Sequence, residues 1–308
     1  MKSSRAVLAS LFLLVLFAAS ASAQQEKAAE WSQPFEPFRI IGNVHYVGTT
    51  ELGAYLISTP EGHILIDGGF DITAPVILKS IRKLGFRPED VEVLLTTQAH
   101  MDHVGSMVAL KQATGAKVMA MEGDAALLER GGQGDFAFGD SFMFPPVTVD
   151  RVLHDGELVT LGGTTLTARH TPGHTRGCTT WTMTVKDGEA SRAVVFAGSL
   201  SVNPPVRLVI DESYPGIRTD YERSFAIMRS LEPDVFLGAH AGFFRLHDKA
   251  ARLRAGETPN PFVDPAGLGA WVDGMERQFL ERVEKERTAG NQPRPQSSRS
   301  TPTPTPTR

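Results

Sequence analysis

The sequence predicts two β-sheets with helices on the outside, an α/β (α+β) fold. Short runs rich in β-branched and aromatic residues are bounded by Gly, Pro, Asn and Asp. Between them lie stretches whose apolar residues recur at helical spacing. This succession of strands and helices occurs twice along the 308 residues, without strict βαβ alternation, which favours two sheets over one doubly wound sheet.

"FRIIGNVHYVG", "AYLIST" and "GHILIDGG", within 38–69, are consecutive strands with turns at Gly42-Asn43 and Pro60-Glu61-Gly62. "APVILKSIRKLG" at 74–85 is a helix ending at Gly85, a natural C-cap. The near-continuous apolar run "VEVLLTT" at 91–97 is a buried strand. A helix over 105–115 and the strand "AKVMA" follow. "ERGGQGDFAFGDSFMFPP" at 129–146 is a long Gly-rich loop carrying aromatics, and loops of that length are often functional. Strands and hairpins fill 151–173, punctuated by Asp155-Gly156 and Gly162-Gly163. "CTTWTMTV" and "RAVVFAG" are further strands, 220–233 an amphipathic helix, "DVFLGAHAG" a strand running into a loop, and 264–287 a final helix.

Both chain ends fall outside this pattern. Lys2 and Arg5 precede the apolar "AVLASLFLLVLFAAS", and "ASA" at 21–23 is a small-residue cleavage site. Residues 1–23 therefore read as a secretory signal rather than a membrane anchor, placing the mature chain in the periplasm or outside the cell. The Pro/Ser/Thr tail at 291–308 has almost no apolar residue and is expected to be disordered. One domain, 24–290, remains. With Cys178 as the single cysteine no internal disulfide can form. Loss of Lys2 and Arg5 with the signal takes the net charge from −4 to −6, which argues against nucleic acid and anionic membrane as partners. A monomer is the expected state.

The chemistry concentrates in "TTQAHMDHVG" at 96–105. His100, Asp102 and His103 offer the borderline nitrogen and oxygen donors that zinc prefers. Continued as an extended stretch, the chain would turn 98, 100 and 102 to one face. His174 in "HTPGHTRG", His240 closing "FLGAH" and Asp67 in "LIDGG" add further donors at strand ends, where α/β enzymes assemble their sites. Phe136 and Phe138 either close over a bound molecule or anchor their loop. Cys178 suits a small buried residue better than a ligand, and Arg207 a surface strand.

The ordered run "LIDGG", "QAHMDH", "TPGH", "FAGSLSV", "GAH" resembles the metallo-β-lactamase superfamily. With "TPGHTRGCTTW", "SLSVNPPVRL" and "YERSFAIMRSL" it resembles subclass B3 more narrowly, over about 31–285. The resemblance implies an αββα sandwich of two mixed sheets flanked by helices, with zinc at one edge. It implies a first zinc site of Gln98, His100 and His174, and a second of Asp102, His103 and His240. Asp67 would orient a ligand histidine, and Ser199 and Ser201 would help hold a substrate carboxylate. A metal-bound hydroxide, oriented by Asp102, would open the amide of a β-lactam. Gln98 takes the place of a histidine ligand. Because an amide oxygen is a weaker donor than imidazole, the Asp102–His103–His240 site is expected to bind zinc more tightly. Glyoxalase II-type thioesterases and lactonases usually carry an aspartate bridging both metals where this chain has Ser199 after Gly198. A lactonase or thioesterase on the same scaffold, or an exported metal-binding protein without turnover, are the rival readings. No Gly-x-Ser-x-Gly elbow supplies a serine nucleophile.

Overall fold

The structure is a computed structural model and describes residues 26–290. The expected signal at 1–23 and the expected tail at 291–308 lie outside the described residues. One sheet runs in chain order through β1 (Phe38–Ile41), β2 (Val44–Tyr46), β3 (Tyr55–Thr59), β4 (Gly62–Ile66), β5 (Val91–Leu95), β6 (Lys117–Met121) and β7 (Arg151–Leu153). The other has the order β12-β11-β10-β9-β8, from β8 (Leu158–Leu161), β9 (Thr164–His170), β10 (Thr179–Asp187), β11 (Ala190–Ala197) and β12 (Val235–Gly238). Both are mixed. β1 to β4 pair antiparallel and β4 to β7 parallel. In the second sheet only β11 and β12 are parallel.

Side-chain alternation explains the layering. In β4, Ile64 and Ile66 join the core between the sheets, while Leu65 faces the opposite way. In β5, Val93 and Leu95 point inward and Leu94 outward. Strands buried on both faces need apolar residues at every position, hence the unbroken "ILI" and "VLL". Trp181, Met183, Val185 and Phe196 of the second sheet meet this inward face. Ile77 and Ile81 of the Ala74–Lys83 helix, and Met107 and Leu110 of the Met107–Thr114 helix, cover the outward face. Helices Ile217–Arg229 and Gly267–Gly290 pack outside the second sheet. There Thr180 of β10 donates its hydroxyl to Met228 Sδ at 3.4 Å. Four layers result: helix, sheet, sheet, helix.

The expected strands form within a few residues of their predicted limits. The helix expected at 105–115 is Met107–Thr114, and the one expected at 220–233 is Ile217–Arg229. The α-helical segments Met101–Val104, Glu122–Glu129 and Leu246–Arg254 are among those that were not expected. The first two bear on the site.

Candidate metal centre

The carboxyl ends of two parallel strand pairs meet at one edge of the sandwich, the position where open α/β sheets bind ligands. Asp67 follows β4, Gln98 to His103 follow β5, Ser199 and Ser201 follow β11, and His240 follows β12. His174 lies between β9 and β10. Thr179 N–H donates to Thr97 O at 2.7 Å, and Trp181 Nε1–H to Thr96 O at 3.0 Å. The Tyr55 hydroxyl donates to Gly238 O at 2.6 Å. These bonds tie the two sheets together beneath the site.

Strand alternation does not place Asp102. β5 ends at Leu95, and after His100 the chain enters the single helical turn Met101–Val104. That turn presents Asp102 and His103. It is pinned because Gly68 N–H and Gly69 N–H both donate to His103 O, at 2.8 and 3.2 Å.

The donors gather in two sets. His100 Nδ1 lies 3.1 Å from His174 Nε2. His103 Nε2 lies 3.2 Å from His240 Nε2, and Asp102 Oδ2 approaches these two nitrogens at 3.4 and 3.7 Å. Asp102, His103 and His240 meet the geometry of a three-ligand metal group. Neighbouring groups select the tautomers. His174 Nδ1–H donates to Ser201 O at 2.8 Å, leaving Nε2 with its lone pair. His103 Nδ1 faces Asp67 Oδ2 at 3.4 Å, which turns Nε2 toward Asp102 and His240. Asp67 itself is held by the Thr97 N–H and hydroxyl at 2.7 and 2.6 Å. Its backbone is left-handed, with φ 59°, a conformation aspartate tolerates better than most residues.

Lone pairs aimed at one another in a buried place repel unless a cation lies between them, so the donor sets fit metal ions. Their protonation behaviour agrees. Burial pushes His174 down to about 3, with His100 adding to the effect. Burial and His103 push His240 down to about 4. Burial alone would lower His103 as well, but Asp102 overrides it and holds His103 up to about 10. Asp102 is held well below the usual carboxylate range, because His103 outweighs the cost of burial. His103 thus keeps its proton and pairs with the Asp102 carboxylate.

Gln98 is buried and, unlike His100 and His174, does not line the cleft. Its Oε1 accepts Ser199 N–H at 2.8 Å, and its Nε2 is buried without a hydrogen-bond partner. Ser199 is also buried, with its hydroxyl 2.8 Å from that of Ser201, and only Ser201 of the two reaches the cleft. The two phenylalanines take different places. The Phe136 ring packs edge-on to Tyr214 at 4.8 Å and anchors the loop. Phe138 stands 5.3 Å from the His100 ring and lines the cleft. Cys178 is fully buried, and burial pushes its thiol up.

The cleft above the histidines measures about 340 Å³. Trp31, Phe70, Phe138 and Phe142 give it apolar walls, and among the described residues Lys27 is the one lysine or arginine in its lining. The Trp31 ring lies 5.5 Å from that of His240.

Several residues of the cleft and its supports carry no mark in the sequence. Lys27 and Trp31 precede the first expected strand, where nothing marks them as part of a site. Asp124 sits on the unexpected helix Glu122–Glu129. Its Oδ2 accepts Ala99 N–H and the Thr175 hydroxyl at 2.8 and 2.7 Å, and its Oδ1 accepts Gly177 N–H at 2.7 Å. It thereby joins the segment bearing His100 to the turn bearing His174. Gly177 allows this approach, since a Cβ there would lie 2.3 Å from Asp124 N. Asp135 also lines the cleft, within the loop singled out for its phenylalanines.

The sequence model of the metallo-beta-lactamase superfamily matches residues 54–240. Among solved structures, the FEZ-1 metallo-beta-lactamase of Legionella gormanii is 46% identical with TM-score 0.81, covering 83% of this chain and 98% of that one. LRA-12, a class B3 di-zinc metallo-beta-lactamase from an Alaskan soil metagenome, is 38% identical with TM-score 0.78, covering 83% and 97%. A Burkholderia pseudomallei protein named "Probable metallo-hydrolase" is 27% identical over 187 residues, 59% of this chain, and the match spans only 60% of that protein's length.

Proposed function

The chain belongs to the metallo-beta-lactamase superfamily, and from that premise we propose that it is a zinc-dependent hydrolase of subclass B3 type that opens the amide of β-lactams. The observation that carries this reading is the coincidence of two converging donor sets with 46% identity to FEZ-1 over 98% of that enzyme. Ser199 supports it as well, because the scaffold's thioesterases and lactonases usually place a bridging aspartate there.

In this proposal Gln98, His100 and His174 hold one zinc, and Asp102, His103 and His240 hold another. When bound, zinc lowers the pKa of water and polarises a carbonyl oxygen. The chain supplies the rest. Asp102 is the anionic member of the ligand set and is partly exposed to the cleft, so its carboxylate is placed to hold and orient a water proton. Trp31, Phe70, Phe138 and Phe142 offer apolar contact and exclude bulk water. Lys27, Ser201 and Asn203 supply donors in the cleft lining that can meet a substrate carboxylate. Residues 1–23 support export, with the periplasm or the exterior as the place of action. Among the described residues no helix is long and apolar enough to cross a membrane.

The test compares a carbapenem, a penicillin, an acyl-homoserine lactone and a thioester, each with and without a chelator. Chelator-sensitive turnover of the lactams above that of the other two is expected. Preference for the lactone or thioester would replace the substrate assignment, and zinc binding without any turnover would remove the catalytic one.

A further inference from the structure

Asp135 lies in the long loop after the Glu122–Glu129 helix, opposite the far side of the His100 ring. Its Oδ1 is fixed by two backbone donors, Ala137 N–H at 2.7 Å and Phe138 N–H at 2.8 Å. Its Oδ2 is buried, has no hydrogen-bond partner, and faces His100 Nε2 at 3.7 Å. His100 Nε2 is likewise buried and without a partner. The side chains of His100 and Asp135 are 9% and 6% exposed, so water does not resolve this pairing.

The tautomer of His100 decides whether these contacts are favourable. If the proton sits on Nδ1, a bare Nε2 lone pair confronts a bare carboxylate oxygen in a buried place. If it sits on Nε2, Nε2–H points at Asp135 Oδ2 and the Nδ1 lone pair faces the His174 Nε2 lone pair. A cation between Nδ1 and Nε2, a metal ion or in its absence a second ring proton on His100, makes the second arrangement favourable, and with the metal it presents both nitrogens as ligands. A carboxylate behind an imidazole also increases its donor strength.

We propose that Asp135 is a positioning residue for the first metal site, holding His100 as the Nε2–H tautomer so that Nδ1 faces the metal. This rests on the zinc-hydrolase reading above and adds to it a reason why a site with an amide ligand at Gln98 still binds metal. One imidazole is strengthened by a carboxylate supplied from the loop, and the backbone donors at Ala137 and Phe138 set that carboxylate's position.

The experiment measures zinc, not turnover. Wild type, Asp135→Asn and Asp135→Ala are equilibrated with graded free zinc and assayed for zinc per chain. Asparagine can keep its oxygen on the two backbone donors while turning an NH₂ toward His100 Nε2, which favours the wrong tautomer. Both variants are expected to lose about 10–100-fold in affinity at the weaker site, the range seen for outer-shell partners, with the tighter site unchanged. In zinc-loaded wild type, nitrogen-15 NMR should show His100 protonated at Nε2, with a low-field proton resonance that both variants lose. His100→Ala identifies the resonance. Retained affinity in the variants would overturn the proposal, and so would wild-type His100 protonated at Nδ1, a result independent of how the variants fold. Because no substrate is present, a failure to hydrolyse β-lactams would sink the proposed function and leave this test standing.

Discussion

Gln98 is occupied before any metal arrives. Its carbonyl oxygen accepts Ser199 N–H, and its NH₂ is buried without a partner. An unsatisfied buried donor costs about 1–3 kcal/mol, so the residue is a compromise in the folded chain as well as a weak ligand. The Asp102–His103–His240 set offers two imidazoles and one anion and should fill first. Gln98→His is expected to tighten the first site, read as zinc per chain after dialysis against graded free zinc. The same change removes the acceptor for Ser199 N–H, because a histidine that ligates through one nitrogen carries its proton on the other. In the metal-bound state Ser199 N–H then lacks its acceptor, which should offset about 1 kcal/mol of the gain in affinity. If wild type already holds two zincs as tightly as the variant, the weak-ligand argument is wrong. Asp102→Ala makes the complementary comparison: it removes the anionic ligand and should abolish both turnover and tight zinc binding while far-ultraviolet dichroism stays native. Near-normal turnover would contradict the role given to Asp102.

Among the elements, the helix Glu122–Glu129 joins the segments bearing His100 and His174 through Asp124, and the sequence reveals it poorly. It starts directly at the end of β6 with Met121 in the N-cap position and no side-chain cap. It runs for eight residues without a capping side chain or strong apolar periodicity, and only Gly131, with φ 62°, marks its end. The strands were legible for the opposite reason. "GHILI" and "VEVLL" carry unbroken apolar runs because burial on both faces demands them. The Ala74–Lys83 helix carries Pro75 at its start and Gly85, with φ 87°, just beyond its end. The ligands were legible as residue types in a recognisable order. Of their supports Asp67 was legible and Asp124 and Asp135 were not, since these two act through three-dimensional neighbours far away in sequence. Asp124→Ala tests this level. It leaves the Ala99 and Gly177 amides and the Thr175 hydroxyl without their shared acceptor, and hydrogen bonds to a charged group are worth about 1.5–3 kcal/mol each. A loss of at least about 3 kcal/mol in urea unfolding is expected, with weaker zinc binding at the His100–His174 set. A variant as stable as wild type would show that the two segments meet without the carboxylate.

For the molecule as a whole, stability and metal binding are one problem, because the chain has no internal disulfide and its site sits where the two sheets are tied. The pH dependence of the metal-free protein follows from its histidines. Unfolded histidines titrate near about 6.5. In the folded chain burial holds His174 down to about 3 and His240 to about 4. Between about pH 6.5 and 4 the unfolded chain thus binds protons that the folded chain refuses, and stability falls as pH falls. His103 has the opposite sign. Asp102 outweighs burial and holds it up to about 10, so its contribution is complete below about 6.5 and is lost as pH rises toward 10. The chelated protein should therefore melt highest near pH 6.5 and lower on either side. Zinc changes this profile by taking the place of the His103 proton and requiring His174 and His240 to be neutral. The alkaline decline should disappear and the acid decline should steepen. At free zinc a hundredfold above Kd, one site adds about 2.7 kcal/mol, or roughly 5–10 °C in Tm for a domain of this size. Thermal melts from pH 4.5 to 9.5, with zinc and with chelator, check both limbs. A chelated protein whose Tm keeps rising from pH 6.5 to 9 would mean that His103 is already neutral without metal, and that its ion pair with Asp102 does not hold the empty site together.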